Sequence, residues 1–273
     1  MTYASINGAD LYYEDSGAGE ALIFQHGYTS SHDCWEGVIP ALNSRYRCVA
    51  LDCRGAGESN GAGGPNTIEQ YAADVIALAD HLGIGRFTYI GLSMGGGVGF
   101  QLGLTQAGRL EKLVLVAPIP ANGVQGPEAG FETSLRQWEA KEREAMLRQR
   151  IITGGQPNPE YLGRAVDRTL AVSRGHFVDS WRSMQAFRPG ARLAQITTPT
   201  LMVAGAVDGL LPSNLADFQR LGNATLHVFS RVGHGIPYEA PGQLAAVIAD
   251  FLEHGVITFA TRQAELRAAT AAK

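Results

Sequence analysis

The stretch YIGLSMGGG, residues Tyr89–Gly97, joins an apolar run to a segment with a helical pattern. It contains the motif G-x-S-x-G, centred on Ser93. Because the chain has 34 glycines among 273 residues, this motif is expected about 0.2 times by chance, and alone it supports only a hypothesis. Dinucleotide-binding loops need G-x-G-x-x-G and P-loops need Gly-Lys-Ser/Thr, and residues 91–97 fit neither pattern.

A sharp turn between a strand and a helix would explain both glycines around Ser93. Such a turn crowds the positions two residues before and two residues after the serine, which excludes side chains at Gly91 and Gly95. The helix that follows brings backbone N–H groups and the positive end of its dipole close to the serine. The motif therefore predicts a nucleophilic Ser93 beside an anion site, with the Met94 N–H as one donor to an oxyanion.

Composition restricts the function classes. A net charge of −4 and a pI of about 6.0 are unlike a nucleic-acid-binding protein, which usually carries a basic surface. No apolar run reaches the roughly 18 residues that span a membrane, and the N-terminal residues lack a secretory signal pattern. Cys34, Cys48 and Cys53 lack metal-ligand spacing and are expected to be free thiols in a reducing compartment. We therefore expect a cytoplasmic protein that needs no cofactor or metal and binds neither nucleic acid nor membrane.

Short apolar runs alternate with helical patterns along most of the chain. Several runs are continuous, as in strands that are buried on both faces of a sheet. The predicted strands are Tyr3–Ile6, Leu11–Tyr13, Leu22–Gln25, Tyr46–Leu51, Phe87–Ile90, Leu113–Val116, Leu201–Ala204 and Thr225–Phe229, and the predicted helices between them are Thr67–Leu82, Gly95–Ala107 and Gly242–His254. This alternation predicts an α/β fold with a mostly parallel sheet covered by helices on both sides.

The alternation stops between residues 120 and 189. Phe131–Thr153 and Tyr161–Ala186 have helical patterns, and Gly154–Pro159 separates them. We interpret residues 120–189 as a helical cap, or lid, inserted into a core formed by residues 1–119 and 190–273. The alternative is that these helices only pack on the sheet as extra elements. The polar, Ala-rich tail 261–273 is either a further helix or a frayed end.

Bulky apolar side chains in the cap are candidates for substrate contact. Trp138, Trp181 and Phe187 are predicted to line an apolar pocket under the cap. Packing among the cap helices explains most such side chains equally well, because they occur at helical spacing.

A serine nucleophile needs a base, and the base needs an acid that orients it. Asp208 follows a predicted strand, where sheets of this kind place functional groups, although a turn aspartate beside Gly209 is the ordinary alternative. His234 follows the next predicted strand. His26 also follows a strand and competes for the role of base, but it could instead brace the loop that supplies a second oxyanion donor. The chain order of Ser93, Asp208 and His234 favours His234.

The remaining histidines lie in polar, helical or strand contexts, where surface or core roles are expected. They are His32, His81, His176, His227 and His254.

Five motifs in the correct order resemble the α/β-hydrolase superfamily over essentially the whole chain apart from the cap. They are His26-Gly27, the segment DCRGAGES at residues 52–59, the turn around Ser93, Gly205-x-x-Asp208-x-x-x-Pro212, and Gly233-His234 with Glu239 and Pro241. The resemblance implies an eight-stranded sheet, a catalytic triad of Ser93, Asp208 and His234, and the Tyr28 N–H as the second oxyanion donor beside Met94. Two departures are Ala56, where the family often has His, and residues 28–31, which replace a glycine-rich oxyanion loop.

The resemblance implies cleavage of a carboxylic ester or lactone of a small apolar molecule through an acyl-enzyme. The sequence leaves the oligomeric state open, with a homodimer as one expectation. Haloalkane dehalogenases and epoxide hydrolases carry Asp at the position of Ser93, so these classes do not fit. Carbon–carbon bond hydrolases, cofactor-free haloperoxidases (perhydrolases) and enol-lactonases remain alternatives on the same triad. A small-molecule receptor on the hydrolase fold is the alternative from another class.

Overall fold

The predicted sheet is present in the computed structural model, which describes residues 2–153 and 159–271. The strands are β1 (Thr2–Ile6), β2 (Ala9–Ser16), β3 (Ala21–Gln25), β4 (Arg47–Leu51), β5 (Phe87–Leu92), β6 (Leu110–Val116), β7 (Thr200–Gly205) and β8 (Ala224–Phe229). Within the described residues they form one eight-stranded sheet in the order β1-β2-β4-β3-β5-β6-β7-β8. The β1–β2 and β2–β4 pairs are antiparallel, and all other pairs are parallel. The predicted α/β fold is confirmed.

Helices connect and cover the strands. The α-helices in the described residues are α1 (Ile68–His81), α2 (Met94–Thr105), α3 (Glu128–Glu139), α4 (Arg143–Thr153), α5 (Pro159–Ala171), α6 (Arg174–Ala186), α7 (Leu211–Phe218), α8 (Ile236–Glu239), α9 (Pro241–His254) and α10 (Phe259–Ala271). The Thr67 side chain caps α1 by accepting a hydrogen bond from the Gln70 nitrogen at 3.2 Å, as the capping-box motif predicts. Asn7 and Gly8 have φ values of 47° and 73°, which a two-residue hairpin turn requires.

Both faces of the central strands are buried, which explains their continuous apolar runs. Adjacent strand residues point to opposite faces, and Ile23 and Phe24 of β3 belong to two different apolar cores. Tyr89 and Ile90 of β5 divide in the same way. Helices α1 and α2 cover one core, whereas α9 covers the other. The central strands are thus rigid supports for the loops at their carboxyl ends.

Between β6 and β7 lie α3–α6, which we call the helical insertion (128–186). The predicted helical stretch 131–153 is interrupted at Lys141, which has a φ of 54°. The stretch 161–186 is interrupted before α6, where the Ser173 side chain accepts a hydrogen bond from the His176 nitrogen at 3.0 Å. The predicted break at 154–159 lies almost entirely outside the described residues.

The C-terminal tail is helical as far as the structure describes it, because α10 extends to Ala271. In the described part of the chain, no helix combines the length and the apolar character needed to cross a membrane.

Candidate active site

Ser93 occupies a sharp turn between β5 and α2. Its backbone has φ 55° and ψ −109°, a conformation that costs a non-glycine residue on the order of 1–3 kcal/mol. The turn is packed so closely that a Cβ on Gly95 would lie 2.6 Å from the carbonyl oxygen of Gln25 in β3. The flanking glycines therefore permit the turn, and the turn presents the Ser93 hydroxyl at the carboxyl end of the sheet.

Two loops bring acid and base side chains to this serine. Asp208 follows β7, and His234 lies between β8 and α8. His234 Nε2 is 2.9 Å from Ser93 Oγ, and His234 Nδ1 is 2.8 Å from Asp208 Oδ2. The second carboxylate oxygen of Asp208 accepts a hydrogen bond from the Leu210 nitrogen at 2.9 Å. The structure therefore joins Ser93, His234 and Asp208, which are far apart in sequence, into one hydrogen-bonded chain.

The electrostatics of Asp208 set the direction of these hydrogen bonds. Burial tends to raise the pKa of its carboxyl group. The hydrogen bond with His234, the attraction to that ring in its protonated form and the Leu210 amide outweigh burial, so the pKa of Asp208 is lowered. An ionised carboxylate can only accept. His234 therefore carries its proton on Nδ1, and the Ser93 hydroxyl donates to Nε2.

Glu239 supports the loop that carries the histidine. Its carboxylate accepts hydrogen bonds from the backbone nitrogens of Gly233, at 2.9 Å, and Gly235, at 3.2 Å. These amides flank His234 on both sides. The sequence motif included Glu239, but nothing in the pattern pointed to this structural role.

His26, the competing candidate for the base, serves the backbone instead. It is fully buried; its Nε2 accepts a hydrogen bond from the Cys53 nitrogen at 3.0 Å, and its Nδ1 lies 2.7 Å from the Gly27 carbonyl oxygen. Burial lowers the pKa of His26, although Asp52 and the Gly27 carbonyl act in the opposite direction. Both ring nitrogens are thus engaged by backbone groups, and His26 braces the loop after β3.

The loop after β3 also approaches Ser93 closely. A Cβ on Gly27 would lie 3.2 Å from Ser93 Cβ, which allows the following residue, Tyr28, to reach the site. Met94 is the first residue of α2, where a backbone N–H has no partner within the helix. The Tyr28 and Met94 N–H groups remain the predicted oxyanion donors.

A cavity of about 390 Å³ opens beside the serine. Its lining residues are Gly27, Tyr28, Thr29, Ser30, Leu92, Ser93, Tyr161, Leu162, Ala165, Asp208, Gly209, Leu210, His234, Gly235, Tyr238 and Glu239. Helix α5 of the insertion supplies Leu162 and Ala165 as an apolar wall, whereas Tyr161 and Tyr238 add two phenol rings whose centres are 3.6 Å apart. Sequence reasoning missed these four residues, since helical periodicity alone does not show which face meets the serine.

The three residues predicted to bind substrate lie elsewhere. Trp138 Nε1 donates to the Thr169 carbonyl oxygen at 2.8 Å, and its ring stacks on Phe177. Trp181 stacks on Phe131 with the rings nearly parallel. Phe187 is buried at the end of α6. None of Trp138, Trp181 and Phe187 is among the described residues that line the cavity, so substrate contact by them stays a prediction without support from the cavity.

Ion pairs attach α5 to the loop after β3. The Arg168 guanidinium pairs with Asp33 and lies 3.3 Å from the Tyr238 hydroxyl, and Arg164 pairs with Glu36. Because Arg168 is largely buried, its pair is screened less by solvent than an exposed pair. The wall of the cavity is therefore attached to the core by charge as well as by apolar packing.

In the ranges that the structure describes, no group of three or more His, Cys, Asp or Glu side chains is arranged to hold a metal ion. Cys34, Cys48 and Cys53 are free and buried.

Comparison with known proteins places this chain in a family. Residues 20–241 match a family model described as alpha/beta hydrolase fold. The chain is 30% identical over 270 residues to a non-heme haloperoxidase of Rhodococcus erythropolis, covering 90% of this chain and 97% of that protein. It is 28% identical over 265 residues to a 2-hydroxy-6-oxononadienedioate/2-hydroxy-6-oxononatrienedioate hydrolase of Burkholderia vietnamiensis, covering 89% and 90% of the two chains.

A solved structure agrees with this fold. The enol-lactonase from Burkholderia xenovorans LB400 superposes with a TM-score of 0.84 at 23% identity, covering 93% of this chain and all of that one. The family match over residues 20–241, together with the sheet order and the turn at Ser93, shows that the chain belongs to the α/β-hydrolase fold family.

Proposed function

We propose that this α/β-hydrolase cleaves a carboxylic ester or lactone of a small, largely apolar molecule through an acyl-enzyme. The observation that carries the proposal is the position of His234, 2.9 Å from Ser93 Oγ and 2.8 Å from Asp208 Oδ2. This geometry matches the requirements of a serine nucleophile, a general base and an orienting acid.

The mechanism follows from these contacts. His234 Nε2 accepts the hydroxyl proton while Ser93 Oγ attacks the carbonyl carbon, and the Tyr28 and Met94 N–H groups stabilise the oxyanion. His234 then donates this proton to the departing alkoxide, and the acyl group remains on Ser93 as an ester. Water repeats the sequence, with His234 again taking a proton, and releases the acid and the free serine. Asp208 remains ionised throughout and stabilises the protonated imidazole.

The cavity supports a small substrate. Its volume of about 390 Å³ lies near the lower end of the range for ligand pockets, roughly 300–1,000 Å³. Leu92, Leu162, Ala165 and Leu210 provide apolar surface. We propose that the insertion acts as a cap that selects the acyl or alcohol group, while the core holds the reacting groups.

The proposal is tested by covalent labelling of the serine and by turnover of an ester substrate. A fluorophosphonate should label Ser93, and Ser93→Ala should lose labelling and about 10⁴-fold or more of kcat on a p-nitrophenyl ester. Ser230→Ala changes an exposed serine after β8 and should keep both. Labelling of another serine, or undiminished turnover in Ser93→Ala, would refute the assignment. A panel of an ester, a lactone and a vinylogous diketone then separates ester cleavage from carbon–carbon bond cleavage.

Perhydrolysis is a second candidate, and the 30% identity to a non-heme haloperoxidase favours it. In this reaction hydrogen peroxide replaces water as the nucleophile, attacks the Ser93 ester and releases a peracid, with His234 taking the peroxide proton. Adding hydrogen peroxide to the ester assay measures the partition between acid and peracid. Peracid formation that exceeds hydrolysis would make perhydrolysis the main activity.

The receptor alternative differs from both reactions in kinetics. Multiple turnovers on a simple aryl ester support an enzyme. A single acylation event that persists on Ser93 would support a receptor instead.

A further inference from the structure

We propose that His176, a buried histidine of the helical insertion, is a positioning residue for the loop that carries the Tyr28 oxyanion donor. The proposal rests on the function proposed above. It means that the insertion would contribute to transition-state stabilisation as well as to the choice of substrate.

The loop in question has a strained residue next to the predicted donor. Thr29 has a φ of 52°, in the left-handed region that β-branched residues rarely adopt. A conformation of this kind persists only where its surroundings hold it. Because Thr29 directly follows Tyr28, contacts that hold Thr29 also restrict where the Tyr28 backbone can lie.

Contacts from the insertion reach this loop at several atoms. The Thr29 nitrogen donates to His176 Nε2 at 3.3 Å. The Tyr28 hydroxyl donates to the Phe177 carbonyl oxygen, and the Tyr28 ring lies parallel to that of His176, with centres 5.9 Å apart. From α5, Thr169 Oγ1 donates to Thr29 Oγ1 at 3.1 Å. The bond to His176 engages the backbone nitrogen of Thr29, and Thr169 Oγ1 also lies 3.4 Å from the Thr29 carbonyl oxygen.

His176 is itself fixed to the core. It is fully buried and lies in the first turn of α6, where the Ser173 nitrogen donates to the Gly55 carbonyl oxygen at 2.7 Å. His176 Nδ1 lies 3.2 Å from the Arg54 carbonyl oxygen and 3.0 Å from the Tyr71 hydroxyl. The ring therefore spans the space between the loop at residues 54–55 and the loop after β3.

The hydrogen-bond directions define the tautomer. A backbone N–H can only donate, so Nε2 must be the unprotonated nitrogen that accepts from Thr29. The proton then lies on Nδ1 and faces the Arg54 carbonyl oxygen, which can only accept. Burial, reinforced by the neighbouring His26, lowers the pKa of His176 to about 3, so the ring stays neutral and Nε2 stays an acceptor at the pH of an esterase assay.

The consequence is a link between α6 and the reacting centre. An oxyanion donor acts only within a narrow distance of the developing charge, and removing one donor reduces kcat on the order of 10²–10³-fold. A loop that has lost its His176 contact would misplace the Tyr28 N–H rather than remove it. We expect a loss of about 10- to 100-fold in kcat, with KM within about threefold.

Three variants test this link. His176→Leu keeps similar bulk and removes the acceptor. His176→Gln can place its side-chain oxygen close to the position of Nε2 and should restore the contact. Tyr71→Phe is the control. It removes the hydroxyl that lies 3.0 Å from His176 Nδ1 and 2.6 Å from Ser180 Oγ, but it keeps His176 Nε2 as the acceptor for the Thr29 nitrogen.

Two readouts are needed. Amide hydrogen exchange at Thr29, followed by NMR in the resting protein, measures the contact without any turnover. Kinetics on p-nitrophenyl acetate, together with inhibition by a trifluoromethyl ketone and by the matching alcohol, measures the oxyanion site, because the ketone forms an oxyanion on Ser93 and the alcohol does not. His176→Leu should speed amide exchange at Thr29. It should lower kcat and the affinity for the ketone by the same factor, and it should leave the affinity for the alcohol unchanged. His176→Gln and Tyr71→Phe should stay within about threefold of the parent in kcat.

The possible failures are distinguishable. Unchanged Thr29 exchange in His176→Leu would overturn the inference, whatever the turnover of the parent. Faster exchange with unchanged kcat, or equal losses of kcat in His176→Leu and Tyr71→Phe, would reduce His176 to a packing residue and also overturn it. If the parent shows no Ser93-dependent turnover, the proposed function fails and the positioning role at the oxyanion site falls with it, whereas Thr29 exchange still reports whether His176 holds the loop.

Discussion

Gly91 and Gly95 approach each other so closely that a Cβ on Gly91 would lie 2.2 Å from the Gly95 carbonyl oxygen. Real Cβ atoms do not approach a backbone oxygen to this distance. The pair therefore fixes the course of the chain on both sides of Ser93, and a side chain at either position would have to displace the backbone that presents the hydroxyl.

Gly91→Ala should therefore destroy the turn at Ser93. We expect a loss of at least about 3 kcal/mol of unfolding free energy, since the clash is with the backbone of α2, which cannot move without disrupting the turn at Ser93. Urea unfolding followed by circular dichroism measures this loss. Gly85→Ala is the matched control, because a Cβ there meets nothing within 4 Å, and its effect should stay within about 0.5 kcal/mol. Similar stability of the two variants would contradict this account of the turn.

Glu239→Ala should impair catalysis more than binding. The variant removes the acceptor of the Gly233 and Gly235 amides, which hold His234 towards Ser93. Hydrogen bonds to charged groups contribute about 1.5–3 kcal/mol, so we expect kcat to fall about 10- to 100-fold. Steady-state kinetics checks this, with Glu20→Ala, a change of an exposed acid, as the control. A rise in KM with kcat unchanged would assign Glu239 to substrate binding instead.

Ala165→Leu should shorten the preferred acyl chain. Ala165 lies on the cavity wall, and three more carbon atoms would occupy space that a long substrate needs. The ratio of kcat/KM for octanoate to that for acetate esters should fall by at least about tenfold, or about 1.4 kcal/mol. Ala171→Leu places the same side chain at an exposed position of the same helix and should leave the chain-length profile unchanged. If the two variants had the same chain-length profile, α5 would not contact the substrate.

His32 should make stability depend on pH. His32 Nδ1 lies 2.9 Å from Asp52 Oδ2, and Nε2 lies 3.5 Å from Glu14. Burial lowers the pKa of His32, but the hydrogen bond and charge of Asp52, with Glu14, outweigh it, so the pKa is raised above its usual 6.5. A raised folded-state pKa means that this stabilisation is complete below about pH 6.5 and is lost as pH rises through the folded-state value.

His32→Gln should therefore lower Tm more at pH 6 than at pH 9. Thermal unfolding of parent and variant at both pH values measures the decrease in Tm that the substitution causes at each pH. Because the comparison is made between parent and variant at each pH, other titrating groups contribute equally to both. A decrease in Tm that is equal at the two pH values, or larger at pH 9, would contradict the role of the charged imidazole.

Local sequence patterns were sufficient to predict most of the strands and helices. Continuous apolar runs predicted the central strands correctly because both faces of those strands are buried, as Tyr89 and Ile90 illustrate. The break between α3 and α4 escaped prediction, because the positive φ falls on Lys141 rather than on a glycine or beside a proline. Helix ends of this kind depend on what the neighbouring turn packs against.

The sequence by itself determined the turn at Ser93, the chain order of Ser93, Asp208 and His234, and a fold that brings the carboxyl ends of strands together. These are consequences of glycine sterics and strand periodicity, which act over a few residues. The chain order favoured His234 over His26 as the base, but both residues follow strands, and only the tertiary structure shows what each ring contacts. His26 turns its nitrogens to the Cys53 and Gly27 backbone, whereas His234 turns Nε2 to Ser93. Likewise, helical spacing assigns Trp138 to the apolar face of a helix but does not show what that face contacts. Contacts between distant segments decide that Trp138 packs against Thr169 and Phe177, while Leu162 and Ala165 face the cavity.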